Sequence, residues 1–326
     1  MTDAVAAAVA GLVAALAVMV LLRFRDRLPH AAVSPRGLHG APVPRVGGLA
    51  IWSGFMPVAL VLAVPATLSP MLWAVPWLLL FAVSLVDDVK SVSVATRLGV
   101  HAIAAAWFAA ALVHGAAISL PAAALAALAC VWSLNLYNFM DGSDGLAVAM
   151  SIVGFVAYAA VLAHADSPSA MPLALAAACI PVLAVNRPPA RIFLGDVGAV
   201  PLGFLAAALG IGGIAGGVWP VWFPVLVFLP FAADATATLC RRVMARERFW
   251  ESHRSHYYQR LHRLGAGHAG TLAVWSALMA GTALTAVFCA CIAPEWGAAA
   301  LAAWCAVHAV LFAGIDYHWR RSAPTA

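Results

Sequence analysis

Long apolar runs, separated by short polar breaks, fill the sequence from its first residues almost to its last. A helix needs roughly 20 consecutive apolar residues to cross a bilayer, and eleven runs approach or reach that length. Their approximate bounds are 3–22, 47–66, 70–86, 98–114, 118–137, 146–164, 170–185, 198–215, 220–240, 270–291 and 296–315. The pattern predicts an all-α, polytopic membrane protein with about ten or eleven transmembrane helices, in one integral membrane domain over residues 1–326.

Composition excludes the main classes of soluble protein. Of the 326 residues, 64% are apolar and 10% are charged, whereas about 25% of a soluble globular chain is charged. Such a chain cannot cover a water-facing surface, so a soluble domain, a disordered chain and a nucleic-acid-binding protein are all excluded. The six cysteines lie in or beside apolar runs without zinc-like spacing, which indicates small core residues.

The cations predict the orientation of the chain. All eighteen Lys and Arg residues fall in alternate polar segments, which lie on one face if the amino terminus is outside. The positive-inside rule assigns that face to the cytoplasm. We therefore expect a protein of the bacterial cytoplasmic membrane, with its carboxyl terminus inside and a basic cytoplasmic loop at residues 241–269.

Acidic residues gather at the same predicted face. Ionisable groups at a membrane are costly and suggest function, although a single Asp can simply cap a helix. Six acids in four segments at one face favour a shared site. They are Asp87, Asp88, Asp141, Asp144, Asp196 and Asp234.

The adjacent carboxylates of Asp87 and Asp88 end the third run. Neighbouring carboxylates near a low-dielectric region repel each other and need a counter-charge. Mg²⁺, which binds one or two carboxylates plus substrate phosphates, provides that charge. The alternative is a surface ion pair with Lys90 or Arg97.

The string NLYNFMDGSDGLA, residues 135–147, is the most specific in the chain. Its two Asp-Gly pairs predict a tight turn that directs carboxylates and backbone N–H groups into one pocket. The ligand spacing of an EF-hand is absent. Asn138, Asp141 and Asp144 are therefore candidate substrate-binding residues.

A third string, NRPPARIFLGDVGAVPLGF, covers residues 186–204. Asp196 can cap the helix that follows it. Together with Asn186 and Arg191, it also offers a metal ligand, an amide and a guanidinium that pairs with phosphate.

The loop at 241–265 contains seven arginines and three histidines. Such a basic segment can simply contact anionic lipids. In a helix, however, the HRSH spacing would put His253 and His256 on one face beside Arg254, which suits a diphosphate. A zinc site is less well supported because no third ligand is evident. In the earlier segment 34–48, Arg36, His39 and Arg45 could equally contact phosphate or orient the second span.

In this order, the four strings resemble the polyprenyl-phosphate N-acetylhexosamine-1-phosphate transferase family, which is glycosyltransferase family 4. The likeness extends from PVPRVGG to HRSHYYQRL. It implies a Mg²⁺-dependent glycosyl-1-phosphate transferase, with Mn²⁺ as an alternative metal. The implied partners are a UDP-sugar, undecaprenyl phosphate and membrane lipids, and a homodimer is allowed.

By resemblance, Asp87 and Asp88 match the family's double-aspartate motif, with roles in catalysis and, for Asp88, in metal binding. The resemblance also implies that Asp196 is a Mg²⁺ ligand. The matching substrate-binding residues are Asn138, Asp141, Asp144, Asn186, His253, Arg254 and His256.

Two departures from the peptidoglycan branch bear on the sugar. That branch typically has a lysine three residues after its second Asp, where this chain has Ser91, and a run of adjacent histidines, where this chain has HRSH. The string HRSHYYQRL is more similar to the O-antigen and surface-polysaccharide branch. The expected reaction transfers a GlcNAc-like sugar-1-phosphate, or that of a deoxy derivative, to undecaprenyl phosphate on the cytoplasmic face and releases UMP. This would be the first membrane step of lipopolysaccharide O-antigen or other cell-surface polysaccharide synthesis.

Three alternatives remain. One is phospho-MurNAc-pentapeptide transfer in peptidoglycan synthesis. An intramembrane prenyltransferase would need paired Asp-rich motifs on separate helices, and a secondary transporter would need a site near the bilayer midplane between repeats. The sequence has neither feature.

Overall fold

A computed structural model describes residues 2–28, 43–62, 70–115, 117–248 and 253–322. Helices dominate these residues, and we number them in chain order. They are α1 (Asp3–Arg23), α2 (Gly47–Ala59), α3 (Pro70–Val89), α4 (Val94–His114), α5 (Leu120–Met140), α6 (Leu146–His164), α7 (Ala170–Asn186), α8 (Asp196–Ala215), α9 (Trp222–Val227), α10 (Leu229–Met244), α11 (Tyr257–Leu261), α12 (Gly267–Cys291) and α13 (Gly297–Ser322). Within the described ranges there is no β-strand, and one isolated bridge joins Arg45 to Phe193.

The prediction of an all-α, multi-span protein is confirmed. Eight helical segments are long and apolar enough to cross a membrane, and the apolar helices α2 and α7 are shorter. The eight segments and the two shorter helices make ten, which is the lower of the two predicted counts. The last residues of the predicted span 47–66 lie outside the described residues. Which end of the bundle faces the cytoplasm stays a prediction from the distribution of cations.

The predicted span 220–240 is divided between α9 and α10, which meet at Phe228. Pro230 has no N–H to donate to Leu226, so a continuous helix would lose a hydrogen bond there and clash with the proline ring. The second piece, α10, extends to Met244 and carries Asp234 and Arg241. It reaches from the bundle into the polar loop that follows.

Small residues let the helices approach closely, as is common in membrane proteins. Along α1, Ala6, Ala10 and Ala14 are fully buried. On α2, a Cβ added at Gly54 would lie 2.3 Å from the carbonyl oxygen of Ala10. These contacts bring backbone against backbone where apolar side chains would hold the helices apart.

The start of α2 is attached to the start of α8. The backbone N–H groups of Gly47 and Gly48 donate to the carbonyl oxygens of Phe193 and Leu194, each at 2.9 Å. The indole N–H of Trp52 donates to the carbonyl oxygen of Val197 at 2.7 Å. The chain just before Asp196 is therefore held in place by residues some 145 positions away in sequence.

Replacing Gly48 by Ala is expected to destabilise this junction. The added Cβ would lie 2.4 Å from the Cα and N atoms of Gly198, and backbone cannot move aside cheaply. Overpacking of this kind costs about 1–3 kcal/mol, which should lower the midpoint of thermal unfolding in detergent. Gly99→Ala is the matched control because its Cβ would meet no atom within 4 Å. Equal unfolding midpoints for the two variants would contradict the close contact.

Candidate functional site

Asp88 joins the end of α3 to the beginning of α8. Its carboxylate accepts hydrogen bonds from the backbone N–H groups of Asp196, at 3.1 Å, and Val197, at 2.9 Å. The first N–H groups of a helix have no partner within the helix, so Asp88 caps α8. The backbone at Gly195 has a φ of +76°, and a Cβ there would lie 2.8 Å from the Asp88 carboxylate. Glycine is therefore required for this approach.

Arg97, near the start of α4, bridges two of the acids. One of its guanidinium nitrogens, Nη1, lies 2.7 Å from Asp87 Oδ2 and 3.2 Å from Asp196 Oδ2. The exposed fractions of these side chains are 29% for Arg97, 11% for Asp87 and 20% for Asp196. The ion pair considered as an alternative for Asp87 thus forms, but it lies in a partly buried site and includes Asp196.

Asp141, directly after α5, faces the same cluster. Burial raises the pKa of its carboxyl well above its usual value, and the charges of Asp196 and Asp88 raise it further, while Arg45 opposes them. Four carboxyls thus meet around two guanidinium groups. A bound cation would offset the repulsion among these carboxyls and favour their ionised forms.

The donor chemistry fits Mg²⁺. Among the described residues, no three His, Cys, Asp or Glu side chains form a ready-made metal cage. Mg²⁺ takes one or two carboxylates and completes its shell with waters and substrate phosphates. Asp87 and Asp196 could supply those carboxylates, since both contact one nitrogen of Arg97. The two oxygens of Asp88 already accept backbone N–H groups.

The turn at 141–145 is closed by the segment that follows α7. The side-chain oxygen of Asn186 accepts the N–H of Gly145 at 3.1 Å, and its NH₂ group donates to the carbonyl oxygen of Ile192 at 2.9 Å. Asp144 accepts the N–H of Ala190 at 3.0 Å. Asn186 and Asp144 are each only 3% exposed, so both hold the backbone that shapes the site.

Two other predicted substrate-binding residues are more accessible. Asn138 is half-buried in the last turn of α5, and Arg191 is exposed. The backbone N–H of Arg191 donates to the carbonyl oxygen of Val185, which leads the chain back toward Asp196. Their binding roles stay predictions.

Asp234 fixes the late histidine loop. Its carboxylate accepts the backbone N–H groups of Tyr257 and Tyr258, each at 2.9 Å, and lies 3.3 Å from Nδ1 of His256. Because a carboxylate only accepts hydrogen bonds, we assign the ring proton to Nδ1. Asp234 is fully buried. It therefore positions the loop through these contacts. A site shared by all six acids stays a prediction.

The segment from His253 to His256 is not helical. The helix begins at Tyr257 because Asp234 accepts the first two N–H groups there, so His256 is the residue before the helix. The prediction that helical spacing aligns the two histidines was wrong. Their rings nevertheless stack, with centroids 4.9 Å apart.

At neutral pH the His253 ring is uncharged. Burial lowers its pKa to about 4, and the neighbouring His256, Arg242 and Arg241 contribute to the shift. Arg254 is half-buried, and it contributes a positive charge to this segment because a guanidinium is always charged in proteins.

The late loop lies against the turn at 141–145. The hydroxyl of Tyr258 donates to the carbonyl oxygen of Phe139 at 2.9 Å, two residues before Asp141. Nδ1 of His268 accepts the backbone N–H of Asp144 at 3.4 Å and lies 3.1 Å from the hydroxyl of Ser143. The sequence does not mark His268, because a single histidine at a helix start belongs to no motif.

Arg45 is also at the site. A Cβ added at Gly195 would lie 2.9 Å from the backbone carbonyl oxygen of Arg45. The positive charge of Arg45 also acts on the Asp141 carboxyl. The sequence left open whether Arg45 orients the span or contacts phosphate, and its position is compatible with both roles. Arg36 and His39 lie outside the described residues.

Residues 70–214 match the model of glycosyl transferase family 4. This part of the chain, which runs from α3 into α8, is therefore similar to that family. Asp87, Asp88, the turn at 141–145 and Asp196 all fall within the matched range, whereas the late histidine loop lies beyond it. Glycosyl transferase family 4 homologues are phosphotransferases, and the helices place this one in a membrane.

Three curated relatives extend the comparison. A probable undecaprenyl-phosphate N-acetylglucosaminyl 1-phosphate transferase of Bacillus subtilis is 25% identical, over 72% of this chain and 70% of that protein. A phospho-N-acetylmuramoyl-pentapeptide-transferase of Heliobacterium modesticaldum is 40% identical, over 27% and 28%. A putative glycosyltransferase of Methanocaldococcus jannaschii is 27% identical, over 63% and 65%. The match thus spans less than two thirds of the second and third relatives.

Proposed function

We propose that the protein transfers a sugar-1-phosphate from a UDP-activated N-acetylhexosamine to undecaprenyl phosphate and releases UMP. The observation that carries this proposal is the cluster of Asp87, Asp88, Asp141 and Asp196 where several membrane-length helices end, with Arg97 paired to Asp87 and Asp196. Such a position lets a phosphate group reach the polar site while its long apolar chain stays in the bilayer.

In the proposed reaction, an oxygen of the lipid phosphate attacks the β-phosphorus of the UDP-sugar. The bond from that phosphorus to the bridging oxygen breaks, and UMP leaves with the electron pair. The second pKa of a phosphate monoester is about 6, so the attacking group is mostly dianionic at neutral pH. A strong general base is unnecessary, and Asp87 positions the nucleophile or accepts a residual proton.

Charge stabilisation is then the main task of the protein. Mg²⁺, when bound, would supply positive charge against the diphosphate and the departing UMP. Asp196, with Asp87 or Asp88, would hold the metal. Arg97 would turn from the carboxylates toward the phosphates, for which its planar guanidinium is well suited, and Arg254 would approach the diphosphate from the late loop.

We propose a GlcNAc-like donor, or a deoxy derivative, for O-antigen or another cell-surface polysaccharide. The name of the Bacillus relative supports this choice, as do Ser91 and the HRSH string. The pentapeptide donor is the second candidate because the Heliobacterium relative, a pentapeptide transferase by name, is 40% identical over its short match. We also place the active site on the cytoplasmic face of the bacterial inner membrane, from the positive-inside rule.

UMP release is the measurement that tests this function. Purified protein is incubated with undecaprenyl phosphate and each of several UDP-sugars, including UDP-GlcNAc and UDP-MurNAc-pentapeptide. We expect lipid-dependent UMP release with an N-acetylhexosamine donor. Pyrophosphate as the product would instead indicate a prenyltransferase. Solute movement into vesicles without nucleotide release would indicate a transporter.

A further inference from the structure

The last helix, α13, contacts the late histidine loop through one carboxylate. Asp316 accepts a hydrogen bond from the Tyr257 hydroxyl at 3.1 Å and lies 3.3 Å from Nη1 of Arg241. It also pairs closely with Arg260. These three partners come from α10 and α11, so Asp316 joins α13 to both elements.

Arg241 carries this contact to the residue before His256. Its second guanidinium nitrogen donates to the carbonyl oxygen of Ser255 at 2.6 Å. On the other side of His256, Asp234 accepts the N–H of Tyr257 at 2.9 Å. Both Asp234 and Arg241 lie on α10. The backbone is therefore held immediately before and immediately after His256.

Aromatic packing reinforces the same arrangement. The rings of Tyr257 and Phe312, which lies one turn before Asp316 on α13, stack with centroids 4.0 Å apart and an interplanar angle of 9°. The guanidinium carbons of Arg241 and Arg260 lie 5.1 and 5.7 Å from the centroid of Tyr257. Two arginines close together repel each other unless a carboxylate lies between them, and Asp316 is that carboxylate.

We infer that Asp316 is a positioning residue, which holds Arg241 and Tyr257 so that the loop at 253–258 keeps its place over the site. This inference rests on the proposed function, because the loop is there assigned to the UDP-sugar diphosphate. Asp316 contacts no reacting atom in this assignment. It acts through Arg241 on the carbonyl of Ser255, and through Tyr257 on the start of α11.

Hydrogen exchange tests the inference without requiring activity. In Asp316→Asn, the charge that holds Arg241 and Arg260 is lost, so local opening should increase and amides in residues 253–261 should exchange about tenfold faster. Exchange in α5 through α8 should stay as in the unmodified protein. Arg241→Lys should give a similar result because an ammonium group cannot reach both Asp316 and Ser255, and the double variant should add little. Asp316→Glu should restore slow exchange.

Glu247→Gln is the matched control. Glu247 also pairs with an arginine of α10, Arg242, at 2.6 Å, but it is 51% exposed and lies outside the Asp316 contacts. This variant should leave exchange at 253–261 unchanged. If UMP is released by the unmodified protein, Asp316→Asn should lower kcat/KM for the UDP-sugar by about tenfold, mainly through KM.

Unchanged exchange at 253–261 in Asp316→Asn would overturn the inference, as would equally faster exchange throughout the protein. If the unmodified protein releases no UMP from any UDP-sugar, the proposed function fails. The exchange result would still decide whether Asp316 holds the loop.

Discussion

Replacing Asp196 by Asn is expected to reduce UMP release by about a hundred- to a thousandfold, the loss typical of removing one preorganised electrostatic stabiliser. Asn is a poorer ligand for Mg²⁺ than a carboxylate, so the metal would bind more weakly. The fold should survive, because the backbone N–H of Asp196 would still donate to Asp88 and Arg97 would keep Asp87 as its partner. Initial rates across a Mg²⁺ titration provide the measurement.

Asp26→Asn is the control for this change of charge. Asp26 follows α1 and its side chain is 88% exposed, so this variant should keep the unmodified rate. Full activity in Asp196→Asn would remove Asp196 from the proposed metal site. Loss of activity together with a large fall in the unfolding temperature would indicate a structural role instead.

Asp234→Ala should have the largest effect on stability. It removes the acceptor for the N–H groups of Tyr257 and Tyr258 and for Nδ1 of His256, all in a fully buried place. Each buried polar group left without a partner costs about 1–3 kcal/mol, so for three such donors we expect a total loss of at least about 3 kcal/mol. Thermal unfolding in detergent measures it, and UMP release should fall as the loop loses its anchor.

Thr238→Val provides a graded comparison. The Thr238 hydroxyl donates to Asp234 at 3.3 Å, so this substitution removes one donor and leaves the other three. It should cost only about 1 kcal/mol. If the two variants unfold at the same temperature, Asp234 does not anchor the loop as described.

The helices could be predicted from the sequence because a bilayer imposes a length on each span. The run that was divided, 220–240, contains the one signal that argues against continuity. Pro230 cannot donate within a helix, and the residues after it include Asp234 and Arg241. The mean hydropathy of the whole run does not show that its first part, α9, is apolar and its second part, α10, is more polar.

The meeting of carboxylates was predictable only in outline. Asp87, Asp88 and Asp196 belong to motifs at span ends on one predicted face, so the sequence suggested that they would meet. The structure brings them together. The sequence did not indicate that Asp88 accepts the N–H groups at the start of α8, because those donors are 108 and 109 residues away. Nor could it show that Arg97 would bridge two carboxylates.

The late loop departed furthest from expectation. The HRSH spacing indicates one helical face, but the position of the helix start is set by Asp234, which lies on another element. The sequence does not mark Asp316 either, because a single acid near basic residues at a helix end resembles ordinary surface solvation. Contacts between elements that are far apart in sequence determine where α11 begins and what Asp316 contacts. A local sequence pattern carries no information about such contacts.

Metal dependence of turnover tests the central claim most directly. Purified protein with undecaprenyl phosphate and UDP-GlcNAc is assayed for UMP before and after EDTA, and again after Mg²⁺ is restored. The convergence of Asp87 and Asp196 on one nitrogen of Arg97 predicts that EDTA stops UMP release and that Mg²⁺ restores it. UMP release that continues unchanged in EDTA would contradict a metal-dependent site at these carboxylates.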